Sequence, residues 1–124
     1  MTNAHSEAPR DLARHTSPDG MLTLLVRQVG DDVLVGFEGT AWHTHGDILA
    51  ELSGLPVPSA VDRMVEDILH GRRAIALLRK DGALVDAWVS DDPAKDTFYA
   101  QPGESLELRD WDGTPLSPNR DLER

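Results

Sequence analysis

Cysteine is absent from this 124-residue chain. That excludes a disulfide framework, a thiolate zinc site and a cysteine nucleophile. Long apolar runs are absent as well. No stretch approaches the roughly eighteen apolar residues of a membrane span, and the opening MTNAHSEAPRDLARHTSPDG lacks the apolar segment of a signal peptide. Positive charge is scarce: 12 Lys and Arg stand against 22 Asp and Glu, a net charge of −10. Such a surface repels nucleic acid and anionic lipid and attracts basic partners. Catalytic signatures are missing too. None of the serines sits in a Gly-x-Ser-x-Gly elbow, and Gly36, Gly39 and Gly46 match no phosphate-binding loop. The expectation is a cytoplasmic protein with no catalytic residue, no cofactor, no membrane partner and no nucleic-acid partner.

What is present is enough apolar material for one core. Hydrophobic residues make up 40% of the chain, an ordinary share for a globular domain. Residues 1–20 are polar, carry Pro9, Pro18 and Gly20, and show no strand or helix period. They read as a disordered or loosely docked tail. Residues 112–124, with DGTPLSPNRDLER in their frame, read as a flexible C-terminal tail. The folded body is then residues 21–111.

The body opens with MLTLLVRQV, a Gly-Asp-Asp turn, and VLVGFEG, a hairpin signature. Strand alternation puts Val33, Val35 and Phe37 on one face, the better core candidate. DILAELSG predicts a short helix capped by Asp47 and ended by Gly54. LPVP forces an extended link. SAVDRMVEDILHG predicts the main helix, at about residues 60–70, with Ser59 as N-cap and Gly71 as stop. Its stripe of Val61, Met64, Val65, Ile68 and Leu69 is wide enough to pack on a sheet. A second hairpin turns at Asp81-Gly82, and SLELRDW alternates as a further strand. Strands grouped on either side of helices predict an α+β fold: a mostly antiparallel sheet of about five strands with the main helix on one face.

Three groups of residues suggest chemistry. The segment WHTHGD offers His43, His45 and Asp47, enough donors for a catalytic zinc with an open position. It resembles the His-x-His part of the JAB/MPN metalloproteases, and seven residues separate His45 from Ser53, as in that family. Gly46 stands where the family usually has proline, Pro56 replaces its aspartate ligand, and Glu38 lies only five positions before His43. The plain reading of the same loop is that Thr44, Asp47 and the histidines satisfy backbone groups at a helix N-terminus.

The second group is aromatic. On ALVDAWVS, Val85, Ala87 and Val89 form one face and Leu84, Asp86, Trp88 and Ser90 the other. If the helix covers the Val85 face, Trp88 and Asp86 lie on an open face; otherwise Trp88 is core. Trp111 shares a face with Glu107 and Arg109, opposite Leu106 and Leu108. The third group is acidic: Asp86, Asp91, Asp92 and Asp96 surround a single local cation, Lys95. It reads either as a solvated loop or as a mimic of phosphate that occupies a cationic groove.

The run VGFEGTAWHTHGDIL, followed by an amphipathic helix and RRAIALLRKDGALVDAWVS, resembles small acidic bacterial immunity proteins, which are antitoxin-like. The resemblance covers about residues 33–90 and rests on size, acidity, hairpin–helix–hairpin order and the His-x-His loop. It implies a basic protein toxin domain as partner. The expected contacts are Asp86, Trp88, Asp91, Asp92, Asp96 and Trp111, with His43, His45 and Asp47 as a second contact. A small zinc-dependent hydrolase using His43, His45 and Asp47 and a homo-oligomeric structural module, a homodimer for example, are the alternatives.

Overall fold

The computed structural model describes residues 9–96 and 100–116. Strands β1 (Arg10–Thr16), β2 (Thr23–Val29), β3 (Asp32–Phe37) and β4 (His43–His45) come first. Helices α1 (Gly46–Ser53) and α2 (Val57–Leu69) follow, then β5 (Ala74–Lys80), β6 (Ala83–Ser90), the short α3 (Pro93–Asp96) and β7 (Glu104–Arg109). The fold is α+β, with two antiparallel sheets ordered β1-β2-β3-β4 and β6-β5-β7. The expected single sheet of about five strands is therefore corrected to two sheets, and α2 is accompanied by α1 and α3. Among the described residues, no helix is long and apolar enough to cross a membrane.

The turn chemistry acts where it was expected. Gly30 takes φ 62° between Val29 and its strand partner Asp32. Asp81 and Gly82 both take positive φ, 51° and 87°, between the paired Lys80 and Ala83. That is the I′ geometry whose twist matches a hairpin. Both helices start earlier than their capping signals suggest. His45 is the N-cap of α1 and leaves Asp47 inside the first turn. Pro56 is the N-cap of α2, with Pro58 in its first turn, and the Ser59 cap is not used. Proline suits that turn because its missing N–H would have had no helical acceptor anyway.

One core joins both sheets to α2. Leu24, Val26, Val35 and Phe37 come from the first sheet, Ile75, Leu77, Ala87 and Val89 from the second, and Val61, Met64, Val65 and Ile68 from α2. Leu24, Val35, Ile68 and Ile75 are fully sealed. Burying such a side chain contributes about 2 kcal/mol each.

Two tail assignments are corrected. Residues 10–16, expected to be loose, form β1 on the edge of the first sheet. An edge strand exposed along most of its length needs no apolar period. Its cross-links are polar: Arg10 Nη2 donates to Gln28 at 2.9 Å, and Arg27 Nε donates to Asp11 at 2.8 Å. Residues 114–116 turn back along β7, where Leu116 N–H donates to the Leu108 carbonyl at 2.9 Å. Residues 17–20 are docked as well, with Ser17 buried and Asp19 bonded to Arg109, while residues 1–8 and 117–124 lie outside the described residues.

The second sheet is used on both faces, and this decides where the tryptophans go. Register pairs Ile75 with Arg109 and Leu77 with Glu107, so the Arg109–Trp111 side of β7 faces the main core. Trp111 is buried at 5% exposure and belongs to the core cluster. Ala76 pairs with both Trp88 and Leu108, which places these two on the opposite face. There Leu108 and Pro93 are buried, and α3 lies against β5. The alternation in SLELRDW was legible; which of its faces pointed inward was not.

Candidate functional site

The acidic rim is built where β6 runs into α3. Asp86 is half-buried and accepts from the Ala87 N–H at 2.9 Å. Asp96 is the organising group. Its Oδ2 accepts from the Trp88 indole N–H at 2.9 Å and from the Ser90 hydroxyl at 2.6 Å. These bonds fasten α3 to the strand and hold the half-buried Trp88 edge-on beside it. Asp92 caps α3, its Oδ1 accepting from Lys95 N–H at 3.3 Å. The Asp91 side chain is 90% exposed and touches Arg73 at 3.4 Å.

Asp86, Asp91 and Asp92 therefore present carboxylates on this rim, while Asp96 and half of Trp88 are spent on its internal structure. Trp111, expected on the same surface, is corrected to a core residue. Its backbone carbonyl accepts from Arg109 Nη2 at 2.8 Å. Arg109, 4% exposed, also donates to Asp19 at 2.5 Å. The Arg109 hydrogen bond, then the Ser17 hydroxyl, hold the Asp19 carboxyl well below the usual carboxylate range. Asp19 gave no sign of this role in the sequence, because its partner lies 90 positions away.

The rim also has an apolar part that alternation alone misassigned. The β5–β6 register shifts between the pairs Leu78–Asp86 and Arg79–Leu84, leaving Val85 as the extra residue of a bulge. Ala87 and Val89 reach the core, whereas Val85 is 50% exposed and Leu84 36%. Leu84 pairs with Arg79, on the face away from Asp86, so the exposed aliphatic side chain next to Asp86 is Val85.

The histidine loop is a separate group. β4 pairs with β3, His43 opposite Gly36 and His45 opposite Leu34. Gly36 is required by close approach, since a Cβ there would stand 2.6 Å from the Trp42 carbonyl oxygen and 3.1 Å from the His43 Cβ. Both imidazoles lie on one face, with ring centres 5.1 Å apart, but they do different things. His43 Nδ1 lies 3.2 Å from the Ala41 carbonyl. His45 Nδ1 lies 2.6 Å from Asp32 Oδ2. Asp32, His45 and Asp47 offer ligand atoms within 4.8 Å of one another. The alternative donor set of the sequence was His43, His45 and Asp47; the group gathered here has Asp32 with His45 and Asp47 and leaves His43 out. His45 makes no cap bond to the α1 amides, but a side chain of this loop does satisfy a backbone group at the helix N-terminus. Asp47 Oδ1 accepts from the adjacent Ile48 N–H at 2.8 Å.

No protein-family model matches this chain, and neither a curated protein nor a solved structure matches it.

Proposed function

We propose that this chain is a cytoplasmic, immunity- or antitoxin-like binding protein that neutralises a basic protein domain. Its contact surface is the β6–α3 rim: Asp86, Asp91 and Asp92, the half-buried Trp88, and the aliphatic Val85. The reading rests chiefly on how the charge is distributed. The arginines are largely consumed internally: Arg14 by Glu38, Arg27 by Asp11, Arg72 by Asp67, Arg79 by Glu107 and Arg109 by Asp19. Asp86 and Asp92 have no ion-pair partner among the described residues, and Asp91 has only the long contact to Arg73. Carboxylates without an ion-pair partner also occur elsewhere among the described residues, Asp31, Glu51 and Asp62 for example, but this rim adds the exposed aliphatic Val85 to its three. Carboxylates steer a cationic partner and set specificity, while the desolvated apolar part supplies the slow off-rate.

The test takes the genes flanking this chain's own: a basic protein domain encoded there is purified and titrated into the full-length protein. Binding is expected to weaken by about tenfold or more as salt rises from about 50 to 300 mM. The variant carrying D86N, D91N and D92N is expected to lose a similar factor, and V85S to raise the off-rate. Affinity indifferent to both salt and the triple substitution would overturn the reading.

A further inference from the structure

The structure assigns a divalent-cation site to Asp32, His45 and Asp47. The three donors come from three elements whose relative positions are set by the backbone. Asp32 opens β3, directly after the Gly30-Asp31 turn. His45 closes β4 and is held by its register with Leu34. Asp47 lies in the first turn of α1. The residue between the last two, Gly46, is buried, and a Cβ on it would sit 2.9 Å from Val57 Cγ1. The His45–Asp47 segment therefore rests on α2, and its position does not depend on the mobility of a free loop.

The charges in this group are incomplete. Several other carboxylates have guanidinium partners, as Asp11, Glu38, Asp67 and Glu107 do. Asp32 and Asp47 have none among the described residues, although their oxygens lie within 4.8 Å. Asp32 holds only the His45 imidazole, and Asp47 only a neighbouring amide. Two carboxylates at that separation repel each other unless a cation lies between them. A hollow of about 350 Å³, lined by Val29, Asp31, Asp32, Val33, Asp47 and Val57, opens onto both carboxylates. It has room for the waters that would complete a coordination shell.

The donor set selects the kind of ion. Bonds of about 2.0–2.2 Å to nitrogen and oxygen place three ligands about 3.3 Å apart. The present spacing, up to 4.8 Å, is wider by about 1.5 Å, which side-chain rotation would have to close. One imidazole with two carboxylates suits a borderline ion such as Zn²⁺ better than Ca²⁺ or Mg²⁺, which take oxygen donors almost exclusively. Binding replaces the short His45–Asp32 hydrogen bond with two metal bonds, so the imidazole must be neutral and a proton is released when it was charged. The site stands apart from the β6–α3 rim, and neither proposal depends on the other.

Calorimetric titration of chelator-treated full-length protein with Zn²⁺ and with Mg²⁺ tests it. One equivalent of Zn²⁺ is expected to bind and to raise the melting temperature, with no comparable response to Mg²⁺. D32N, H45Q and D47N are each expected to weaken Zn²⁺ by at least about tenfold, while H43A retains wild-type affinity. Circular dichroism melts without metal establish that each variant is folded. Absence of a stoichiometric site overturns the proposal. So does a site that survives D32N, or one that is lost with H43A while D32N leaves it intact.

Discussion

Asp19 and Asp32 are both half-open carboxylates beside a turn, yet their surroundings differ in kind. Asp19 meets the buried guanidinium of Arg109, the Ser17 hydroxyl at 2.6 Å and the Met21 N–H at 3.1 Å. Its charge and its lone pairs are satisfied, and the bonds tie the 17–22 turn to β7 and to the Trp111 carbonyl. Asp32 meets one exposed imidazole and faces a second carboxylate. The first arrangement is complete without a ligand, and the second is not. Charge alone does not separate structural acids from functional ones; the inventory of partners does.

The two tryptophans extend that contrast and supply the largest expected effect. W111A empties a core position and is expected to cost about 4 kcal/mol, a large truncation in a sealed site. W88A removes a half-buried ring and is expected to cost about 2 kcal/mol, because Asp96 keeps its bond to Ser90. Urea midpoints at constant slope measure both. Equal costs would erase the distinction between junction and rim.

Between these two in size is R109M. It leaves Asp19 without its guanidinium and frees the Asp110 and Trp111 carbonyls, with an expected loss of about 3 kcal/mol. The acid limb sharpens the same point. The folded carboxyl of Asp19 is held below its unfolded value near 3.9, so the pair stabilises the fold above that value. The stabilisation is lost as pH falls toward the folded value. D19N is expected to be less stable at neutral pH and to flatten the loss of stability below about pH 4, as followed by melts across pH. An unchanged acid limb would mean that other carboxylates dominate it.

D32N stands at the small end. Without metal it removes one partly exposed hydrogen bond but also one of two repelling charges, so the expected change is within about 1 kcal/mol. The smallest effect belongs to Glu38. Its carboxyl is held low by the Arg14 hydrogen bond, at 2.9 and 3.0 Å, but both side chains are about half exposed to water. E38Q is expected to leave the urea midpoint where it is, at low and at high salt.

Much of the fold could be read ahead of the structure, and each successful reading was local. Val33, Val35 and Phe37 showed their face by alternation. The α2 stripe showed itself by helical spacing, and the Asp81-Gly82 turn by its backbone demands. The failures were not local. Alternation groups Val85 with Ala87 and Val89, because a period of two does not foresee a bulge. β1 was missed because an edge strand held by Arg10, Asp11 and Arg14 carries no apolar signal. Of the candidate contacts, Asp86, Asp91 and Asp92 lie along β6 and its link to α3, Trp111 is sealed in the core, and Val85 is turned outward by the bulge. At the histidine loop, the spacing of His43 and His45 drew attention to two rings on one strand face, while the donor that completes the group is Asp32, 13 positions before His45.

The hairpins, the helix stripe and the surplus of acid follow from the sequence by itself, because turn geometry, side-chain period and net charge depend on a few neighbouring residues or on none. Which face of β6 and β7 is sealed, which carboxylates find a guanidinium, and which acid stands beside His45 were decided only by the tertiary structure. Those outcomes depend on strand register and sheet packing, which bring together side chains that the chain itself keeps far apart.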